Sequence, residues 1–253
     1  MINARDIAKK TMTPEKRKGA KYDLFAFYVG RPISYVLSVP FINMHIRPNV
    51  ISLLSFIPSL IGFVLLGFGK TPGSRLAGAL FFLLWNFMDG IDGNTARYYN
   101  QPSKMGRLWD ATAGYVATML LYFAMGLSVV NTSIPSMSLF NKQFIIPDIY
   151  FVAMGGLTSI NTMFYRLVMH KKSLLYLEDT NKGLISDKNT YSWPMILALN
   201  ITSTAGFMQL FMIVAVISGY VREFVLAYFM IQLLITIKSL FSTLSLDSDE
   251  YLE

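Results

Sequence analysis

Cysteine is absent from this 253-residue chain. No disulfide, thiolate metal site or cysteine nucleophile can therefore contribute to its fold or chemistry, although the absence says nothing about compartment. Charge is scarce as well: Asp, Glu, Lys and Arg make up 15% of the residues, against 53% hydrophobic. The charges are separated by apolar runs near twenty residues long. That is the pattern of a polytopic helical membrane protein and leaves little room for soluble domains. The opening MINARDIAKKTMTPEKRKGAKYD is basic and polar with no apolar centre, so it is not expected to be a cleaved secretory signal. No convincing internal repeat is present.

The formal net charge of +7 raises nucleic acid as a partner, but its distribution argues for a membrane surface instead. If the chain crosses six times, all of its 22 Lys and Arg except Lys70, Arg75, Lys142 and Arg222 fall on one side. The positive-inside rule then places both termini in the cytoplasm, and the basic flanks favour anionic lipid headgroups. Residues 1–46 read as a basic arm followed, from 23, by a broken interfacial helix, because Arg31 is costly in mid-bilayer. The six spans are expected over 49–68, 76–97, 106–130, 148–169, 194–219 and 222–244, within a membrane domain of 47–244. An acidic, solvated tail follows over 245–253. The expected fold is thus an all-α membrane protein with six transmembrane helices plus an N-terminal interfacial helix. In the fifth span, Asn200, Thr202, Ser203, Thr204 and Gly206 suit close packing and hydrogen bonding between helices, or the lining of a cavity.

Between the second and third spans lies DGIDGNTARYYNQPSKMGRLWDATAG, residues 89–114. Ionisable groups at the end of a membrane helix are costly and mark a functional site. Asp89 and Asp92 are three apart and share a helix face. Asp110 opens the helix running back, so an antiparallel pair would gather three carboxylates at one membrane surface. Carboxylates without His or Cys are hard oxygen donors suited to Mg²⁺, Mn²⁺ or Ca²⁺. Gly93 and Gly106 would let a phosphate-bearing ligand approach backbone, and Arg97 can make forked hydrogen bonds to a diphosphate. Displacement at phosphorus is the chemistry that fits.

These residues resemble the motif of the CDP-alcohol phosphotransferase family, DxxDGxxAR followed after eight residues by GxxxDxxxD. The match comprises Asp89, Asp92, Gly93, Ala96, Arg97, Gly106 and Asp110; the last Asp of the pattern falls on Gly114. The resemblance implies a Mg²⁺- or Mn²⁺-dependent membrane enzyme, placed in a bacterial or archaeal cytoplasmic membrane. It would transfer a substituted phosphoryl group from a CDP-linked alcohol to a hydroxyl of a lipid or membrane glycan, releasing CMP. It also implies metal binding by Asp89, Asp92 and Asp110, and nucleotide binding by Gly93, Ala96, Arg97 and Gly106. The element PNVIS at 48–52, without an Arg soon after it, favours a CDP-linked headgroup as donor. CDP-diacylglycerol with a soluble alcohol is the alternative, and a cation-binding transporter or scaffold is the non-enzymatic one.

In the family the final Asp completes the second metal site and serves as base, and Gly114 can do neither. Gly114 and Thr118 form a small-xxx-small step that suits helix packing. A base could come from His170, Glu178 or Asp179 in the charged loop 170–193, the acceptor could already be ionised, or catalysis could be impaired; a divergent but active enzyme is the expectation, because the other seven positions are retained. Arg166, Lys171 and Lys172 are candidates for an anionic acceptor, and equally for positive-inside anchoring. Asn49 belongs to a Pro-Asn element that resembles the family's and could line the nucleotide pocket, but it reads first as the cap of the first span. Small residues on several helix faces are compatible with a homodimer.

Overall fold

The computed structural model describes residues 2–101, 103–132, 137–139, 142–180 and 191–250, without side chains at 137–144, 172–180 and 242–250. Helices dominate. Two short ones, α1 (Ala4–Thr11) and α2 (Pro14–Ala20), form the arm. An irregular turn, Ala26–Gly30, runs into α3 (Arg31–Asn43). The bundle follows with α4 (Pro48–Phe68), α5 (Pro72–Tyr98), α6 (Lys104–Ser128), α7 (Asp148–Thr180), α8 (Trp193–Thr202), α9 (Met208–Ser218) and α10 (Val221–Glu250). A small antiparallel hairpin, β1 (Met137–Leu139) with β2 (Lys142–Phe144), departs from the all-α expectation in the segment joining α6 to α7.

Local chemistry sets the boundaries that matter for the site. Thr71 and Ser74 form a capping box at the start of α5, with Pro72 in the first turn. Asn100 takes the left-handed conformation (φ 53°) between α5 and α6, a conformation Asn tolerates better than most residues. Ser103 then caps α6 by accepting from the Gly106 N–H at 2.8 Å.

Among the described residues, three helical stretches, Pro48–Phe68, Lys104–Asn131 and Val221–Phe241, are long and apolar enough to cross a membrane. The other expected spans correspond to α5, α7 and the α8–α9 pair. That last pair corrects the expectation of one continuous fifth span. The Phe207 N–H donates to the Asn200 carbonyl and the Gly206 N–H to the Ser203 carbonyl, both at 2.9 Å, so the chain turns instead of continuing. The Asn200 side chain accepts from Leu24 N–H and donates to the Tyr22 carbonyl, both at 2.7 Å, fastening the break to the segment before α3. Two further expectations need correction. Helix α7 extends to Thr180, into the segment read as a charged loop, and α10 continues to Glu250, into the segment read as an unstructured tail. Once nucleated, helix propagation adds one hydrogen bond per residue and carries past a change in polarity.

Helix α4 packs along both α5 and α6, α6 along α7, and α7 along α10, whereas α5 and α6 meet only sparingly. The core, with Phe82, Leu121, Met125, Phe151, Met208 and Met212 fully or almost fully buried, lies among α4, α5, α6, α7, α9 and α10. At one end of the bundle the buried Arg75 donates to the Asn131 carbonyl. At the same end Arg222 pairs with Asp148 at 2.6 Å and donates to Thr132 at 2.8 Å. Two of the four cations assigned to the far face therefore clamp helix ends together. The acidic motif lies at the opposite end.

Candidate functional site

The last turns of α5 are fixed on their inner side by polar contacts to α3 and α4. Asn94 donates to the Ser34 and Ser38 hydroxyls at 3.1 and 3.2 Å, and Thr95 bonds back to the Ile91 carbonyl at 2.8 Å. Asp92, 6% exposed, accepts from the Ser52 hydroxyl of α4 and from the Gly93 N–H. A buried carboxylate held by two donors has a defined orientation, and lone pairs remain for a further ligand. Arg97 donates to Asn94 at 3.2 Å and lies across Gly93, where a Cβ would come within 2.9 Å of its guanidinium. The glycine thus lets the arginine fold over the helix, a role the sequence did not suggest.

Beside these groups opens a cavity of about 410 Å³. Asp92, Gly93, Ala96 and Arg97 line it from α5, Gly106 and Asp110 from α6, and Asn49 and Ser52 from α4. Six of the seven matched motif residues therefore face one space. Asp89 is the exception: it stands behind this wall, within the electrostatic reach of Asp110, Asp92 and Arg166. The expected gathering of three carboxylates is accordingly looser than the motif suggests. Among the described residues no three carboxylate or imidazole groups form a ready metal cage. The donor set nonetheless fits a hard divalent cation, being oxygen-only with two carboxylates on the cavity wall and a third nearby.

Asn49 is not the helix cap. Arg47 holds that position, Pro48 occupies the first turn, and Asn49 faces the cavity. A Cβ at Gly106 would lie 3.0 Å from the Asn49 side-chain oxygen and 2.8 Å from the Ser103 hydroxyl, so a larger residue there would displace these two side chains. The Pro-Asn pair was the available signal for Asn49. Ser52 and the arm residues Lys10, Thr11 and Thr13, which also line the cavity, gave none.

Around Gly114 the structure is open: a Cβ would meet no atom within 4 Å, so the helix-packing reading of this glycine does not hold. Its neighbour Tyr115 bonds through its hydroxyl to His170, 2.8 Å from Nε2. The Arg166 guanidinium stands 5.4 Å from the Tyr115 ring centre. Arg166 also reaches Thr204 at 3.4 Å, at the α8–α9 break. Arg166 and His170 thus belong to one cluster that borders Asp89. Lys171 is exposed. The side chains of Lys172, Glu178 and Asp179 lie outside the described residues.

Outside the membrane-spanning part, Lys16 of α2 is pushed down to about 8 by burial and by the nearby Arg97 and Arg31. The unfolded chain, with an ordinary value of 10.5, holds that proton more tightly. Stability is therefore diminished at neutral pH and rises as pH climbs from about 8 toward 10.5. Thermal unfolding in detergent should show this rise in the wild-type chain. In Lys16→Met the rise should be flattened, with higher stability at neutral pH. An equal rise in both would contradict the placement of Lys16 beside the two arginines.

The cavity at the ends of three helices carries carboxylates, small residues and two arginines on its wall, a lining that suits an anionic ligand together with a cation. Residues 45–237 match the CDP-alcohol phosphatidyltransferase family model, and the chain belongs to that family. Over 71 residues it is 34% identical to the CDP-diacylglycerol–inositol 3-phosphatidyltransferases of Homo sapiens and Rattus norvegicus. That match covers 26% of this chain and 33% of each relative, so the chain spans about a third of the length of the curated relatives it matches.

Proposed function

We propose that this chain transfers a substituted phosphoryl group from a CDP-linked alcohol to a hydroxyl acceptor at the membrane surface, releasing CMP. The observation that carries the reading is the convergence of Asp92, Gly93, Ala96, Arg97, Gly106 and Asp110 on one cavity. The small residues leave room for the nucleotide. Arg97 holds the diphosphate through charge-assisted hydrogen bonds, and Ser52 fixes the orientation of Asp92. Asp89, Asp92 and Asp110 would hold a divalent cation, Mg²⁺ or Mn²⁺, which when bound offsets charge on the transferring and leaving phosphates. The acceptor oxygen forms a bond to the distal phosphorus, the bond to the CMP oxygen breaks, and the acceptor proton passes to a base. Arg166 and Lys171 stand at the bundle surface as contacts for an anionic acceptor, and His170 is the candidate base within that cluster. The name shared by the curated relatives favours CDP-diacylglycerol as donor, while the PNVIS element favours a CDP-linked headgroup. Six spans, built from α4, α5, α6, α7, the α8–α9 pair and α10, would place both termini and the cavity in the cytoplasm.

Purified protein should release CMP from at least one of CDP-choline, CDP-ethanolamine, CDP-glycerol and CDP-diacylglycerol, only with Mg²⁺ or Mn²⁺. No release from any of them, together with ion or solute movement in proteoliposomes, would favour the transporter reading. The open space at Gly114 also makes Gly114→Asp a clean substitution. If this chain has its own arrangement for the acceptor proton, Gly114→Asp leaves turnover unimproved. A large gain would show that the chain lacks a working base.

A further inference from the structure

The family model begins at residue 45, yet the cavity is not closed by the matched region alone. Lys10 and Thr11 of α1 and Thr13 at the start of α2 also form part of its wall. The arm is seated firmly enough for that role. The Asn43 amide exchanges two hydrogen bonds with the Ile2 backbone, at 3.1 and 3.2 Å, and Ile7 is fully buried. The Lys10 ammonium stands 4.3 Å from the centre of the Tyr98 ring of α5.

The seating is unusual in its charge. Lys9, Lys10, Lys16, Arg17, Lys18 and Lys21 bring a strongly basic arm against a surface that already holds Arg31, Arg97 and Arg107. Like charges brought together at a partly buried surface oppose docking. An anionic ligand in the cavity would reverse that sign. The available donor matches a phosphate: Lys10 has three N–H groups. Thr13 accepts from the Lys16 N–H at 3.3 Å and is hydrogen-bonded to the Glu15 carboxylate, and Thr11 donates its hydroxyl proton to the Ile7 carbonyl at 2.8 Å, so both contribute shape only.

We propose that Lys10 is a donor-binding residue that reaches the diphosphate of the CDP-alcohol from outside the family-matched region, making the arm the outer wall of the nucleotide site. The proposal rests on the function proposed above and adds a subsite to it. The lowered proton affinity of Lys16, produced by burial beside Arg97 and Arg31, agrees with a surface that carries surplus positive charge.

The test is equilibrium binding of CDP and of CMP to the full chain in detergent with Mg²⁺, comparing wild type, Lys10→Gln and Lys18→Gln. Lys10 and Lys18 are both exposed, so neither change threatens folding, and Lys18 does not line the cavity. Lys10→Gln should weaken CDP binding roughly 10-fold, the scale of one charge-assisted contact, with a smaller effect on CMP. Lys18→Gln should leave both unchanged. Wild-type affinity for CDP in Lys10→Gln, or an equal loss in Lys18→Gln, would overturn the proposal while leaving the site intact. Failure of the wild-type chain to bind CDP at all would overturn the function itself.

Discussion

Replacing Asp92 by alanine is expected to lower metal-dependent CMP release by at least about 1,000-fold, the scale seen when one preorganised electrostatic contact to a transition state is lost. Asp92 is the motif carboxylate that is both buried and in the cavity wall, with Ser52 and the Gly93 N–H fixing its direction. Asp92→Asn keeps the shape and an acceptor for Ser52 but removes the charge, so it should fold normally and still be nearly inactive. Ser52→Ala, which frees the carboxylate without discharging it, should lose only about 10- to 100-fold, as supporting groups around a metal site do. Initial rates for the three variants check the order. Equal activity of Asp92→Asn and wild type would show that the charge plays no part in the reaction.

The second large effect is structural. A Cβ at Gly78 of α5 would run into the backbone of Leu66 in α4, including its Cα at 2.8 Å, and across the same contact Gly62 faces the Gly78 carbonyl. Backbone cannot step aside as the tip of a flexible side chain can. Gly78→Val is therefore expected to cost about 3 kcal/mol or more by overpacking, and to part α4 from α5. Since α4 carries Asn49 and Ser52 and α5 carries Asp92 and Arg97, the cavity would be lost with the contact. Gly73→Ala is the control, because a Cβ there meets nothing within 4 Å. Thermal unfolding in detergent should fall by many degrees for Gly78→Val and stay level for Gly73→Ala. Similar stability of both would mean that α4 and α5 approach less closely than described.

The motif was legible because its chemistry is local. The spacing from Asp89 to Arg97 sets a helix face, and Gly106 and Asp110 set the start of the next helix. The structure brings six of these residues to one cavity, with α4 packed along both helices. The helical character of the chain was equally legible from its apolar runs. What the sequence concealed depends on packing between distant segments. Asn200 looks like a polar residue in a membrane helix until the Tyr22–Leu24 backbone is seen bonded to it, and the helix break follows from that contact. Lys10 and Thr13 look like parts of a solvated basic arm until α1 is seen resting on α3 and α5. Gly114 looks like a packing glycine until the space beside it proves empty. Asp89 looks equivalent to Asp92, yet Asp92 lines the cavity and Asp89 does not; the two are offset by about 60° around the helix axis and by most of a turn along it.

The arm also changes how the site is understood. A cavity built from α4, α5 and α6 alone would take its cations from Arg97 and Arg107. With the arm in place, Lys10 joins them and the basic surface continues through Lys16 to Arg31. Carboxylates for a cation and a rim of cations for an anion together describe a site for a metal-bound diphosphate, the combination that phosphoryl transfer requires.

The most direct measurement is equilibrium binding of CDP to the full-length chain with and without Mn²⁺, in wild type and in Asp92→Asn. In the wild-type chain Mn²⁺ and CDP should each tighten the binding of the other, and this reciprocity should disappear in Asp92→Asn. CDP affinity that is indifferent to Mn²⁺, or the same in both proteins, would contradict it.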